Sequence, residues 1–407
     1  MERDGKISVL IVDDSALMRS LIAKIVESDS RLCVMDKAMN GRFAFQRLCF
    51  SEPDVIVLDI EMPEMNGLEF LERRKKAGIE IPVVILSSIA KRGAAVTMEC
   101  LEKGAADFVT KPSGSESANL HTVADRLISL LVGFGGRYRD QRLAGKTKPL
   151  PLDLLREYGA LSPAEARVMM DAHPLPSAVR PETPAESAFP GETEPECAPS
   201  LETRGRLRRR AEPGKIEIIA IGISTGGPNA LRTVFPKLDP LCIRQPVVVV
   251  QHMPPGFTEE FAKSLNKICP LEVREAHEGD LLKPGRILIA PGDRHLLVEK
   301  RSLAATAHLS DAPQRNGHRP SADVLFESVC REYGNHALGI IMTGMGRDGA
   351  AEMASLYEAG SRTLGQDEAS SIVYGMPKAA MELGALDEQV SLEQMAETIN
   401  RWAKEFG

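Results

Sequence analysis

At roughly 150 residues per domain, a chain of 407 residues is long enough for two or three domains. Its 50 Lys and Arg against 57 Asp and Glu give a formal net charge of -7, which argues against bulk electrostatic binding to nucleic acid. Hydrophobic residues at 43% exclude a wholly disordered chain, and aromatics at 4% leave little for base-stacking platforms.

Short β-rich apolar runs at 9–12, 55–58, 83–86 and 107–109, with a weaker one at 32–37, alternate with helix-period segments such as 16–27 and 67–76. Strands this short, bounded by polar ends, suit a buried parallel sheet. Five βα units in so short a span predict a doubly wound, flavodoxin-like sheet. Segment 137–213 differs: eleven prolines fall between Pro149 and Pro213, 182–202 is acidic and 204–210 is basic. Such a stretch cannot bury enough apolar surface to offset its ordering entropy, so 133–213 is expected to be a long, largely disordered linker. Within it, Ser162-Pro163-Ala164-Glu165 has capping-box spacing and predicts a short helix through Met170. The βα pattern resumes with strands at 216–221, 246–250, 286–290 and 337–342, a hairpin at 295–300 and 303–308, and helices at 229–235, 258–268, 322–333 and 350–359. This predicts a second, Rossmann-like α/β sheet with possible antiparallel edges. Domains are thus expected at 1–132 and 214–407.

The longest uncharged stretches, such as 218–231, fall short of the about 18–20 residues of a membrane span. The charged N-terminus does not read as a signal peptide. Seven scattered cysteines without a Cys-x-x-Cys pair favour a reducing compartment, so a cytoplasmic protein without membrane insertion is expected.

Polar residues gather at the strand ends of the first sheet, where open α/β sheets bind ligands. Asp13 and Asp14 end the first strand, Asp59 the third, Ser87 and Ser88 the fourth, and Lys111-Pro112 follows the fifth. Three carboxylates so placed would repel one another unless a cation sits among them, and oxygen ligands suit Mg²⁺. A carboxylate beside a divalent metal and a lysine can attack a phosphoryl group. The strings Val12-Asp13-Asp14-Ser15, Asp59-Ile60-Glu61-Met62-Pro63 and Gly104-Ala105-Ala106-Asp107-Phe108 leading to Lys111-Pro112 resemble a response-regulator receiver domain. The resemblance implies Asp59 as phosphoacceptor, with Asp14, Asp59 and the Glu61 carbonyl on Mg²⁺ and Asp13 acting through water. It also implies that Lys111 pairs with the acyl phosphate, that Ser87 hydrogen-bonds the phosphoryl oxygen, and that Phe108 is the switch aromatic.

In the second sheet, Gly222-Ile223-Ser224-Thr225-Gly226 fits a nucleophile elbow between strand and helix. Gln251-His252-Met253-Pro254-Pro255 and Thr343-Gly344-Met345-Gly346-Arg347-Asp348-Gly349 follow two further strands, so a serine, a histidine and an aspartate share one sheet edge. Gly344-x-Gly346-x-x-Gly349 also matches the dinucleotide fingerprint, which keeps a nucleotide-binding reading open. Against that reading, no clear parallel strand carrying an acidic residue follows, although Asp367 lies at a permissive distance. His277, His295, His308, His318 and His336 are isolated and read as surface or packing residues.

Three strings decide between these readings: 221–228, 251–258 and 343–350, supported by Arg319-Pro320-Ser321-Ala322-Asp323 and 367–377. They resemble the catalytic domain of the chemotaxis protein-glutamate methylesterases, the CheB family. The resemblance implies Ser224 as nucleophile, His252 as base, Asp348 as its orienting acid and the Met345 N–H as oxyanion donor, with no cofactor in the esterase site. It implies hydrolysis of glutamyl methyl esters on chemoreceptors, deamidation of receptor glutamines, and phosphorylation by a chemotaxis histidine kinase. A DNA-binding regulator is disfavoured by the acidic charge and the lack of a helix-turn-helix pattern. A pseudoenzyme scaffold is disfavoured because all three triad residue types are present.

Overall fold

A computed structural model of the chain describes residues 5–87, 91–111, 117–159, 207–301 and 304–407. The N-terminal sheet has five parallel strands in the order β2-β1-β3-β4-β5. They are β1 (Ile7–Val12), β2 (Leu32–Ala38), β3 (Val55–Asp59), β4 (Val83–Ser87) and β5 (Asp107–Thr110). Helices α1 (Ala16–Glu27), α2 (Gly41–Leu48), α3 (Gly67–Lys76), α4 (Lys91–Glu102) and α5 (Ser117–Leu130) connect the strands or follow the last. Polar side chains start these helices: Ser15 caps α1, and Asn66 and Glu69 form a capping box on α3. β1, β3 and β4 are buried along their whole length, as the continuous apolar runs require.

The expected linker begins later than its composition suggests. Helix α5 continues through a π-turn (Leu131–Gly135) into α6 (Gly136–Leu143), and α7 (Leu152–Gly159) follows. Arg142 on α6 meets the buried carboxylate of Asp54 at 2.7 Å. Helix α7 returns to α2: Leu155 is fully buried, Tyr158 packs edge-on against Phe45 with ring centroids 5.2 Å apart, and the Gly159 carbonyl accepts from Gln46 Nε2 at 2.6 Å. Burial of Leu155 and Tyr158 supplies the apolar gain that the proline count alone did not predict. The predicted helix at 162–170 lies outside the described residues.

The second sheet has seven parallel strands in the order β14-β13-β12-β6-β7-β9-β8. In chain order the elements are β6 (Ile218–Ile223), α8 (Gly227–Val234), β7 (Val247–Gln251), α9 (Phe257–Asn266), β8 (Glu272–Glu275) and β9 (Arg286–Ile289). Then come β10 (His295–Lys300), β11 (Ala305–Ser310), α10 (Ala322–Tyr333), β12 (Ala337–Ile341), α11 (Ala350–Ala359), β13 (Arg362–Gln366), α12 (Met376–Glu382), β14 (Glu388–Val390) and α13 (Leu392–Glu405). The antiparallel edges expected from sequence are absent from this sheet among the described residues. The hairpin β10–β11 forms a separate two-stranded sheet that packs on α10 through buried Leu296 and Val298.

The receiver-like sheet lies across the C-terminal strand edge of the second one. Phe108 stacks on Phe257 at 4.9 Å with planes 10° apart. Asn229 Nδ2 donates to the Ala105 and Ala106 carbonyls at 3.1 and 2.7 Å. Glu102 on α4 accepts from Ser264 on α9 at 2.8 Å. Arg137 on α6 reaches the carbonyls of Ala369 and Ser371.

Candidate active site and its receiver

β12, β6 and β7 are neighbours, and the loops that leave them carry Asp348, Ser224 and His252. Each loop enters its helix through a glycine at positive φ: Gly226 at 79°, Gly256 at 83° and Gly349 at 86°. An L side chain resists that conformation, so glycine permits the tight turns that bring the three loops together. His252 Nδ1 lies 3.0 Å from Ser224 Oγ, and Nε2 lies 2.9 Å from Asp348 Oδ2. All three residues are buried. With Nε2–H donating to the carboxylate, the Nδ1 lone pair is free to accept the serine proton.

The Asp348 carboxylate is held by more than the ring. Oδ1 accepts from Ser321 Oγ at 2.6 Å and Asn316 Nδ2 at 2.9 Å, and Oδ2 accepts from the Ala322 N–H at 2.6 Å in the first turn of α10. Burial, the largest single influence, pushes its pKa up. The His252 ring, Ser321 and Asn316 together outweigh burial and hold the carboxyl well below the usual range. Gln251 Nε2 donates to the Ser224 carbonyl at 3.0 Å, tying the β7 end to the nucleophile loop. A Cβ added to Gly344 would sit 2.8 Å from Ser224 Cβ, so the loop carrying Met345 lies directly against the serine.

Two histidines read as bland from sequence belong to this site. His295 is fully buried; its Nδ1 accepts the Ser321 N–H at 3.2 Å and its Nε2 faces the Pro313 carbonyl at 3.1 Å, which fixes a ligand of Asp348. His318 stacks face to face on His252, with centroids 3.8 Å apart and planes 13° apart. Neither role has a local sequence signal, because both arise from loops meeting in space. His277, His308 and His336 bond Asp280, Glu278 and Lys215 or face them, away from the triad.

Contrary to the sequence expectation, a parallel strand, β13, does follow the glycine fingerprint, and acidic Asp367 comes directly after it. The chain itself occupies the glycine loop instead. Gly344 N–H donates to the Val373 carbonyl at 3.0 Å, Gly375 and Met376 donate back to the Gly344 carbonyl, and Met376 Sδ lies 2.3 Å from where a Cβ on Gly344 would be. Asp367 Oδ1 is taken by Ser370 N–H and Oγ at 2.9 and 2.6 Å.

On the first sheet, Asp13, Asp14 and Asp59 offer oxygens within 4.8 Å of one another. Lys111 Nζ lies 2.7 Å from Asp59 Oδ2 and 3.2 Å from Asp13 Oδ2, so one ammonium serves two carboxylates. Burial raises the Asp59 pKa against the pull of the Lys111 ammonium. This all-oxygen donor set, with three carboxylates against one lysine, fits a hard divalent cation. Glu61 lies with Asp59 and Lys111 on a cavity of about 100 Å³. Ser87 Oγ is 2.5 Å from Thr97 Oγ1 on α4. Phe108 points into the interface rather than to solvent.

The receiver reaches the triad edge directly. Asp107, fully buried, accepts the Gly226 N–H at 2.8 Å, and Arg126 on α5 donates to the His252 carbonyl at 3.5 Å. Burial raises the Asp107 pKa, with Arg126 opposing.

A buried Ser224–His252–Asp348 hydrogen-bonded chain on a parallel sheet edge, covered by the Asp107, Phe108 and Arg126 side of a receiver-type domain, is the arrangement of a receiver-coupled hydrolase. Family models described as CheB methylesterase and response regulator receiver domain match residues 219–399 and 9–123. A protein-glutamate methylesterase/protein-glutamine glutaminase of Treponema denticola is 58% identical over 98% of this chain and 99% of its own length. One of Treponema pallidum is 54% identical over 100% and 99%. The chain belongs to the protein-glutamate methylesterase/protein-glutamine glutaminase family. The solved catalytic domain of Thermotoga maritima CheB methylesterase is 35% identical, with 46% of this chain and 98% of that one covered and a TM-score of 0.44. Among the described residues no helix is long and apolar enough to cross a membrane.

Proposed function

We propose that this chain hydrolyses γ-glutamyl methyl esters on cytoplasmic helices of chemoreceptors, giving glutamate and methanol, and deamidates selected receptor glutamines there. Ser224 Oγ attacks the carbonyl carbon as His252 Nδ1 takes its proton; Asp348 keeps Nε2–H in place and balances the imidazolium. The oxyanion is held by the Met345 N–H, in the loop packed against Ser224. The imidazolium then protonates the leaving methoxide or amine, and water, deprotonated by the same Nδ1, hydrolyses the acyl-enzyme. The observation that carries this reading is the unbroken Ser224–His252–Asp348 relay.

Control follows from the lid. A chemotaxis histidine kinase supplies the phosphoryl group to Asp59, with Asp13, Asp14, Asp59 and the Glu61 carbonyl as the residues that would hold Mg²⁺. When bound, that ion neutralises charge on the transferring phosphoryl group. Lys111 pairs with the phosphoryl oxygens, Ser87 leaves Thr97 to bond them, and the shift carries Phe108 off Phe257, so the receiver leaves the triad edge. Methanol release from methylated receptor membranes is the assay. Ser224→Ala is expected to abolish release, and undiminished release by that variant would discard the serine mechanism.

A further inference from the structure

His252 needs more than two hydrogen bonds. They fix its ring nitrogens along one line, between Ser224 and Asp348. They resist rocking about that line weakly, and rocking would turn the Nδ1 lone pair off the serine. His318 covers one ring face at 3.8 Å, nearly parallel. We propose that His318 is a positioning residue, whose flat ring holds the plane of His252 as the proton moves between Ser224 and the imidazole.

The turn that presents His318 is built for this. Residues 315–318 form a turn closed by backbone bonds between Arg315 and His318, with Asn316 and Gly317 at positive φ. Asn316 donates to Asp348 from the same turn, so one short segment touches two triad members. Both flanks are pinned by arginine. Arg315 pairs with Glu327 and with Glu352, and Arg319 bonds Asp293 at 2.7 Å and the carbonyls of Asp311 and Ala312.

Charge bears on the same point. Attack turns His252 into an imidazolium, and a second cation stacked on it would oppose the step. Burial, reinforced by His252 and Arg126 and resisted by Asp348, lowers the His318 pKa to about 4. The ring is therefore neutral at neutral pH, and its π-face can attract the transient cation.

This inference rests on the esterase reading above, and the test separates the two. The full chain, activated with acetyl phosphate and Mg²⁺, is assayed on methylated receptor membranes as His318→Phe, His318→Leu and Ser224→Ala, with rates normalised to folded protein. Phenylalanine keeps a flat face; leucine keeps bulk without one. His318→Leu is expected to lose ~10–100-fold in kcat with KM little changed, while His318→Phe stays within ~3-fold of wild type. Wild-type kcat in both the leucine and the phenylalanine variant would overturn the positioning role. So would a phenylalanine variant as slow as leucine, because the imidazole itself would then be needed. Turnover by Ser224→Ala would instead overturn the esterase reading on which the role depends.

Discussion

If the receiver acts as the proposed lid, its closure can be loosened at a side chain that makes no contact within the proton relay. Asn229 on α8 donates to the Ala105 and Ala106 carbonyls across the interface at 3.1 and 2.7 Å. Each such neutral bond contributes about 1 kcal/mol net, so Asn229→Ala removes about 2 kcal/mol from the closed state. At 1.4 kcal/mol per tenfold, that weakens closure about 25-fold. A receiver closed at roughly 100:1, within the ordinary range for two-state proteins, would shift to roughly 4:1. Open enzyme would rise from about 1% to about 20%, and methanol release by the unphosphorylated full chain would rise by about 20-fold. The rate reached with acetyl phosphate should not change, because the triad and its supports are untouched. An unphosphorylated rate within twofold of wild type would refute the reasoning. A parallel fall in both rates would also refute it, by placing Asn229 in catalysis rather than closure.

Asp59→Asn should retain the low unphosphorylated rate but gain nothing from acetyl phosphate, and EDTA should have the same effect on wild type; stimulation that survives either treatment removes the acidic pocket from the account. Leu155→Ala should cost the receiver about 2–4 kcal/mol in urea unfolding, since a fully buried leucine leaves a cavity. The catalytic domain's own transition should stay where it is, and an unmoved receiver transition would show that α7 adds no stability.

Much of this architecture was legible in the residues. The helices at 16–27, 67–76, 322–333 and 350–359 coincide with the structure because a capping side chain or a glycine bounds each of them. Strands β13 and β14 were not legible: Arg-Thr-Leu-Gly-Gln and Glu-Gln-Val carry no apolar run, and only pairing of β13 with β12 and of β14 with β13 makes them strands. Leu154, Leu155 and Tyr158 do fall on one helical face, a signal masked by the prolines and charges around them. Ser224, His252 and Asp348 could be placed on one edge from strand-end positions alone. His318, Ser321, Asn316 and His295 could not, since the turn at 315–318 and the hairpin β10–β11 reach the site only through tertiary packing.

The orientation of the imidazole in this relay has a practical result for covalent inhibitors. In the commoner relay the nitrogen facing serine is Nε2, at the far end of the ring; here it is Nδ1, next to the carbon that joins the ring to its backbone. An affinity reagent that bridges serine and histidine must therefore deliver its second warhead deep against the main chain. Reagents shaped for the commoner geometry will place that warhead too far out, and a correctly shaped one will leave an Nδ1 adduct that peptide mass spectrometry and NMR can tell from an Nε2 adduct. Selective chemical knock-out of this class, without touching other serine hydrolases in the same cell, follows from which ring atom was chosen.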